Sequence, residues 1–302
     1  MKLYTKIFFA LIFVYIVLLA SDKIYGFFLN ENVYLKQVYI QKKKINADFL
    51  ILGNCVPNKL INPSILEKIT KHKTYNLAET HANLTENYLS FYVYLKSNKA
   101  PKRLFIYTTP ESFDPSFNKF SSYRFAYLMH DNEVRKTIKI SDLNYYRWSF
   151  IPFAKYRYYN SPLHYSALQG AMHYFANSKK RIVHNGYLNF EELHKYRSLY
   201  PNGYRFKWDN LQEKYLIKLI FLAKKHGTKV ILFESPFYSR KNELPNRNEI
   251  LQKIKQIADK TNVLFIKFDT LKFPKSNFAN NDMLYTKNIE KFNILFARRV
   301  LL

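Results

Sequence analysis

Short apolar runs that stop at glycine or polar residues recur along this chain with helical segments between them, and that alternation leaves few folds open. Ala47-Asp48-Phe49-Leu50-Ile51-Leu52-Gly53 predicts a buried strand. Asn62-Pro63 then predicts a helix to about Lys71, because Asn caps the orphan N–H groups and Pro in the first turn has no N–H to lose. Thr74 to Ala78 reads as a second strand, Leu84 to Lys96 as a helix, and Arg103 to Thr109 as a third strand. The pattern returns with a helix from Asn210 to His226 stopped by Gly227, a strand Lys229 to Ser235 and a helix from about Arg247 to Lys260. A strand Val263 to Asp269 and a closing helix from about Thr286 follow. Strands apolar on both faces, alternating with helices, predict a mainly parallel sheet in a three-layer α/β/α body. Ligands of such sheets sit beyond the carboxyl ends of the strands. Here those ends are Gly53-Asn54-Cys55, Ala78 to His81, Thr108 to Glu111, Ser235-Pro236 and the loop after Asp269.

The N-terminus carries a different signal. Lys2 and Lys6 precede the apolar run Ile7 to Ala20, and a second stretch, Ile24 to Leu29, follows Ser21-Asp22-Lys23. Residues 1–30 read as a signal-anchor, with residues 31–46 as a linker. The first run alone is short for a span of about 20 residues, which leaves a cleaved signal peptide as the alternative. No clean small-x-small cleavage site follows the run, only Leu19-Ala20-Ser21. The basic flank is expected to stay cytoplasmic, which places the bulk of a single-pass chain outside the cytoplasmic membrane and argues against nucleic acid as partner.

Between about 112 and 204 the alternation fails, which predicts an insertion within a body spanning 47–302. Leu143 to Phe190 holds no Asp or Glu while carrying Arg147, Lys155, Arg157, Lys179, Lys180 and Arg181 among a dense set of tyrosines that includes Tyr156 and Tyr158. Lys179, Lys180, Arg181, Tyr156 and Tyr158 are therefore candidates for holding an anionic glycan or an anionic lipid surface. Packing of a small subdomain accounts for the rings equally well. The whole chain of 302 residues sets 48 Lys+Arg against 22 Asp+Glu, a formal +26 spread over both halves, and such a field favours anionic partners without specifying a fold. The single cysteine, Cys55, excludes an intramolecular disulfide. With no Cys/His cluster, and with His72, His130, His164, His173, His184, His194 and His226 at no ligand spacing, neither a metal site nor a cofactor is expected.

Asp48 to Cys55 followed by Ile61-Asn62-Pro63 resembles the first block of membrane-anchored SGNH/GDSL-hydrolase-like proteins, in which Gly-x-Ser ends the first strand. Tyr75-Asn76-Leu77-Ala78 is similar to their second strand, Asn185-Gly186-Tyr187 to a recurrent insertion turn, and Glu234-Ser235-Pro236-Phe237-Tyr238 to a late strand and loop. Phe278 to Phe292 is similar to the C-terminal block, where Asp-x-x-His-Leu precedes a helix. The resemblance covers about residues 47–300 in order. It implies a flavodoxin-like, SGNH-type fold, and for the anchored members a partnership with a membrane-bound O-acyltransferase acting on cell-surface polymers.

The chemistry implied by the resemblance needs a nucleophile on a tight turn, a His to take its proton, a carboxylate to orient that His, and donors for the oxyanion. The serine position matches Cys55, the histidine position Met283 and the aspartate position Asn280. The oxyanion-hole glycine matches His81, and no Gly-x-Asn-Asp follows the third strand. Methionine accepts no proton, and Asp282 would have to move to replace it. Three readings stay open. One is a catalytically degenerate accessory to O-acyl modification of a cell-surface glycan or cell-wall polymer. Another is a thiol esterase or acyltransferase using Cys55 and His81, with Asn54 or Asn280 as orienter or oxyanion donor. The third is a basic binding protein for an anionic polymer or lipid surface.

Overall fold

A computed structural model of the chain describes residues 3–301 apart from 118–119, 155, 157–160, 177–183, 188–195, 240–242, 269–270 and 272. Numbered along the chain, the helices are α1 (Leu3–Glu31), α2 (Lys36–Lys43), α3 (Cys55–Leu60), α4 (Pro63–Thr70), α5 (Leu84–Ser97) and α6 (Pro110–Phe113). They continue with α7 (Asn132–Ser141), α8 (Leu143–Trp148), α9 (Ser161–Ala176), α10 (Asn210–Lys225), α11 (Arg247–Lys260) and α12 (Thr286–Leu301). The strands are β1 (Phe49–Leu52), β2 (Thr74–Asn76), β3 (Arg103–Tyr107), β4 (Lys229–Glu234) and β5 (Leu264–Lys267). These elements fall into two compact units, Met1–Lys43 with Phe120–Ile182, and Lys44–Lys119 with Val183–Leu302.

The second unit is the expected α/β body. All five strands are parallel, in the order β2-β1-β3-β4-β5, with Leu50 opposite Tyr75 and Leu104, and Leu232 opposite Ile106 and Phe265. This is the doubly wound order of a flavodoxin-like sheet, and the helices cover both faces. The period of two divides each strand between them: Phe49 and Ile51 of β1, with Phe105 and Tyr107 of β3, join Val56, Leu60, Leu66, Phe292 and Phe296 beneath α3, α4 and α12. α5 packs beside α10. Local sequence starts these helices where it was expected to. Asn62 accepts from Ser64 N at 3.0 Å to begin α4, and Asn83 and Glu86 form a reciprocal capping box at the head of α5. The Asn185-Gly186 turn docks on β2: a Cβ on Gly186 would strike the Asn76 carbonyl, and Asn185 Nδ2 donates to Glu67 Oε2 at 3.4 Å.

The first unit gathers the N-terminal helix and the middle of the basic insertion. α1 is 29 residues long, its most apolar window has a mean hydropathy of 2.3, and none of that window is buried. It is long and apolar enough to cross a membrane. Only its last turns pack within the unit. Tyr25 lies edge-on to Phe153, Tyr156 and His164, and α9 crosses so closely that a Cβ on Gly170 would collide with the Phe28 carbonyl. The segment expected as a linker instead contains α2, whose Val38 and Ile40 are fully buried. Of the insertion expected over 112–204, residues up to 119 and from 183 belong to the sheet unit. Periodicity did not show this, because α7 and α8 are short helices separated by Asp142 alone.

Candidate functional site

The carboxyl ends of β1, β3 and β4 converge on one spot in the sheet unit, and the turn after β1 shapes it. Gly53 has φ +153°, and a Cβ there would lie 2.5 Å from Pro57 and 2.6 Å from the Cβ of Tyr107. Only glycine lets the chain turn this tightly from strand into helix. Asn54 follows as the cap of α3, its side chain accepting from Val56 N at 3.0 Å, and Cys55 opens the helix half-buried against the apolar core.

Two carboxyl groups stand beside that thiol. Glu111, on α6 just beyond β3, and Asp282, in the loop before α12, are buried and hydrogen-bonded to each other. Burial, then the neighbouring Asp282, holds Glu111 well above the usual carboxylate range, and burial also raises Asp282. Two carboxylates in contact cannot both ionise away from water, so Glu111 keeps its proton and donates it to Asp282. The pair is braced. Tyr200 donates its hydroxyl to Glu111, Tyr107 and Ser235 share a hydrogen bond of 3.0 Å, and Ser235 Oγ donates to the Asp282 carbonyl at 3.3 Å. Glu234 at the end of β4 is ion-paired with Arg247 of α11, whose guanidinium stacks 4.0 Å from the Phe237 ring. Tyr107, Glu111, Asp282, Glu234, Arg247 and Phe237 line a cavity of about 10 Å³, the room of roughly one water, walled also by Thr109, Pro110 and Phe206.

The electrostatics at Cys55 run against a nucleophile. Burial above all, then Asp282 and Glu111, push its thiol up to about 12, outweighing the lowering by Lys59 and by the backbone at the start of α3. His81 does not offset this. It is exposed, in a left-handed conformation (φ 59°), and among the described residues it makes no hydrogen bond or ion pair with Cys55. Asn280 is committed to the backbone, accepting from Asp282 N at 3.1 Å and Met283 N at 2.9 Å, and Met283 is buried. The structure thus puts Cys55 within electrostatic reach of Asp282, leaves Asn54 as the cap of α3 and Met283 and Asn280 in the loop that carries Asp282, and leaves His81 at the surface. Among the described residues no three His, Cys, Asp or Glu side chains are placed to hold a metal.

The fold is of the SGNH/GDSL-hydrolase type. Its sheet has the flavodoxin-like order, with a glycine-dependent turn from β1 into α3. No protein-family profile matches the chain, and no curated protein matches it. Among solved structures it is similar to a catalytic mutant of an acetylxylan esterase from Geobacillus stearothermophilus, at 9% identity and a TM-score of 0.43, covering 85% of this chain and 94% of the other. It is also similar to a lipolytic protein described as of the G-D-S-L family from Desulfitobacterium hafniense DCB-2 (8%, TM-score 0.42, 83% and 98%) and a GDSL-like lipase from Bacteroides thetaiotaomicron VPI-5482 (9%, TM-score 0.38, 90% and 99%). At this level the chemistry of those proteins does not transfer to this chain.

The insertion candidates fall elsewhere. Tyr156 is completely buried in the first unit, ringed by Tyr25, Phe153 and His164, so it packs that unit's core and is not presented to a polymer. Tyr158, Lys179, Lys180 and Arg181 lie outside the described residues. The Glu111–Asp282 pair was missed from sequence although both strand-end segments were singled out. Glu111 follows Thr108-Thr109-Pro110 at the end of a strand that is apolar and buried from Leu104 to Tyr107, a place where a carboxylate has little access to water. Its partner lies 171 positions away and only the fold reveals it.

Proposed function

We propose that this chain is a membrane-anchored protein of SGNH-like fold that does not carry out the acyl-ester chemistry of that fold. It would act as an accessory in O-acyl modification of a cell-surface glycan or cell-wall polymer, beside a membrane-bound O-acyltransferase. The observation carrying this reading is the neighbourhood of Cys55: a thiol that favours its proton, next to a carboxyl pair, with Met283 in the loop where a base would be required. A thiol esterase needs a thiolate and a proton acceptor, and burial together with Asp282 and Glu111 opposes the first. The apolar α1 supports a single-pass anchor, and the basic flank of Lys2 and Lys6 supports an extracytoplasmic body.

The test uses the full chain in detergent. Alkylation of Cys55 by iodoacetamide is expected to be slower at pH 8 than that of a free cysteine, and p-nitrophenyl acetate hydrolysis is expected to match the Cys55→Ala variant. Labelling faster than a free thiol, with hydrolysis abolished by Cys55→Ala, would overturn the reading. Cys55→Ser is expected to yield no esterase either, because among the described residues no base is hydrogen-bonded to position 55 and Met283 stands where the histidine is expected. Photocrosslinking in native membranes should recover a polytopic acyltransferase as partner, and its absence would remove the accessory role.

A further inference from the structure

α9 holds no Asp, Glu, Lys or Arg and is apolar on its outer face as well as its inner one, unlike a helix with one face in water. Leu163, Ser166, Ala167 and Gly170 face into the first unit, while the opposite stripe at i, i+3, i+7 and i+10 is apolar and open: Tyr165 is 62% exposed, Leu168 57%, Met172 53% and Phe175 76%. A contiguous apolar stripe left uncovered marks an interaction surface. Its occupant is indicated by what it joins. Phe27 of α1 meets Tyr174 edge-on at 5.2 Å and Phe28 meets Phe175 at 5.8 Å, so the apolar surface of α9 joins the Ile24–Leu29 end of α1, one turn beyond Ser21-Asp22-Lys23. Close backbone contact at Gly170 fixes the two helices in this arrangement. From Leu143 to Phe190 the chain has no carboxylate that an anionic headgroup would repel.

We propose that Tyr165, Leu168, Met172 and Phe175 dip into the headgroup–acyl boundary of the bilayer that α1 enters, so that the first unit is attached to the lipid surface by a second, interfacial helix. The inference rests on α1 being membrane-embedded and adds an in-plane contact to it. Helices of this kind bury their apolar face about 5–10 Å into the boundary, and tyrosine at its edge satisfies its hydroxyl in the headgroup layer.

Nitroxides placed by Leu168→Cys, Met172→Cys and Phe175→Cys in a full-length Cys55→Ala background would be read in nanodiscs of phosphatidylcholine and phosphatidylglycerol. Relaxation by lipid-soluble oxygen is compared with relaxation by a water-soluble nickel chelate. Val14→Cys serves as the reference inside the bilayer and Lys225→Cys, on exposed α10, as the reference in water. The α9 sites are expected to follow Val14, with oxygen dominant and the chelate excluded. α9 sites as open to the chelate as Lys225, while Val14 stays in lipid, overturn the proposal and leave the anchor standing. Exclusion of both relaxants from the α9 sites also overturns it, in favour of a protein partner or a second copy on the stripe. Chelate access at Val14 is the separate outcome that removes the anchor. Three labelled positions on one open face keep the result readable if any single variant fails to fold.

Discussion

Glu111 holds a proton in the fold that it releases once unfolded. Its native proton affinity is raised by burial and by Asp282, so the folded state binds more protons than the unfolded state from about the ordinary carboxylate value of 4.5 upward. Its contribution to stability is therefore present in acid and declines as pH rises toward the raised native value. Glu111→Gln supplies the same geometry without the proton, because its amide donates to Asp282 and its carbonyl accepts from Tyr200. The melting temperature of this variant is expected to fall less between pH 5 and pH 8 than that of the parent. Glu111→Ala leaves the Tyr200 hydroxyl and the Asp282 carboxylate without that partner and is expected to cost about 1–3 kcal/mol in denaturant titration. Gly53→Ala places a methyl against Pro57 and Tyr107 at a φ that L residues rarely adopt. It is expected to destabilise the fold by at least about 1–3 kcal/mol.

At the scale of elements, the head of α5 is the clearest local test. Asn83 caps the N–H of Glu86 at 3.0 Å while the Glu86 side chain returns to Asn83 N at 3.2 Å, so Asn83→Ala is expected to cost about 0.5–2 kcal/mol by thermal melt. The same local rules explain what could be read from sequence. Every strand of the sheet lies within the apolar run that predicted it, and α4, α5, α10, α11 and α12 begin within a residue or two of their expected starts. These elements announce themselves through caps, glycine stops and period, all of which are properties of neighbouring residues. α3 was not read, because six residues beginning at Cys55 and containing Pro57 carry no helical period. The site was legible only as places: Cys55 and Glu111 follow the strand ends that the sequence marks, but the pairing of Glu111 with Asp282 was not legible. His81 was carried to the thiol by alignment alone. Its own left-handed turn, which holds it out at the surface, is not a property that spacing encodes.

For the molecule as a whole, α1 is both long and apolar enough to cross a membrane and part of a folded unit. Deleting residues 1–30 removes Tyr25, Phe28 and Leu29 from beneath α9 together with the span. Such a fragment is expected to aggregate and to bind a hydrophobic dye, and not to behave as a clean soluble domain. Deleting only 1–20 keeps the packed turns and is expected to give a folded first unit with weakened, incomplete membrane recovery on flotation. A soluble, dye-silent product of the longer deletion would show that α1 contributes nothing to the packing of its unit.

The contact between the end of α1 and α9 also sets a clock for biosynthesis. Asn32 donates to Gln169 across 137 positions of chain, and Asp22 accepts from Phe153 N across 131. At a translation rate of about 5–20 residues per second, the N-terminal helix waits roughly 7–27 s for the segment that completes its unit. Three strands of the sheet are synthesised in that interval. Throughout it the aromatic flank of Tyr25 and Phe28 has no protein to cover it, so nascent chains arrested before residue 160 should be the species most dependent on the insertion machinery and on holdase chaperones.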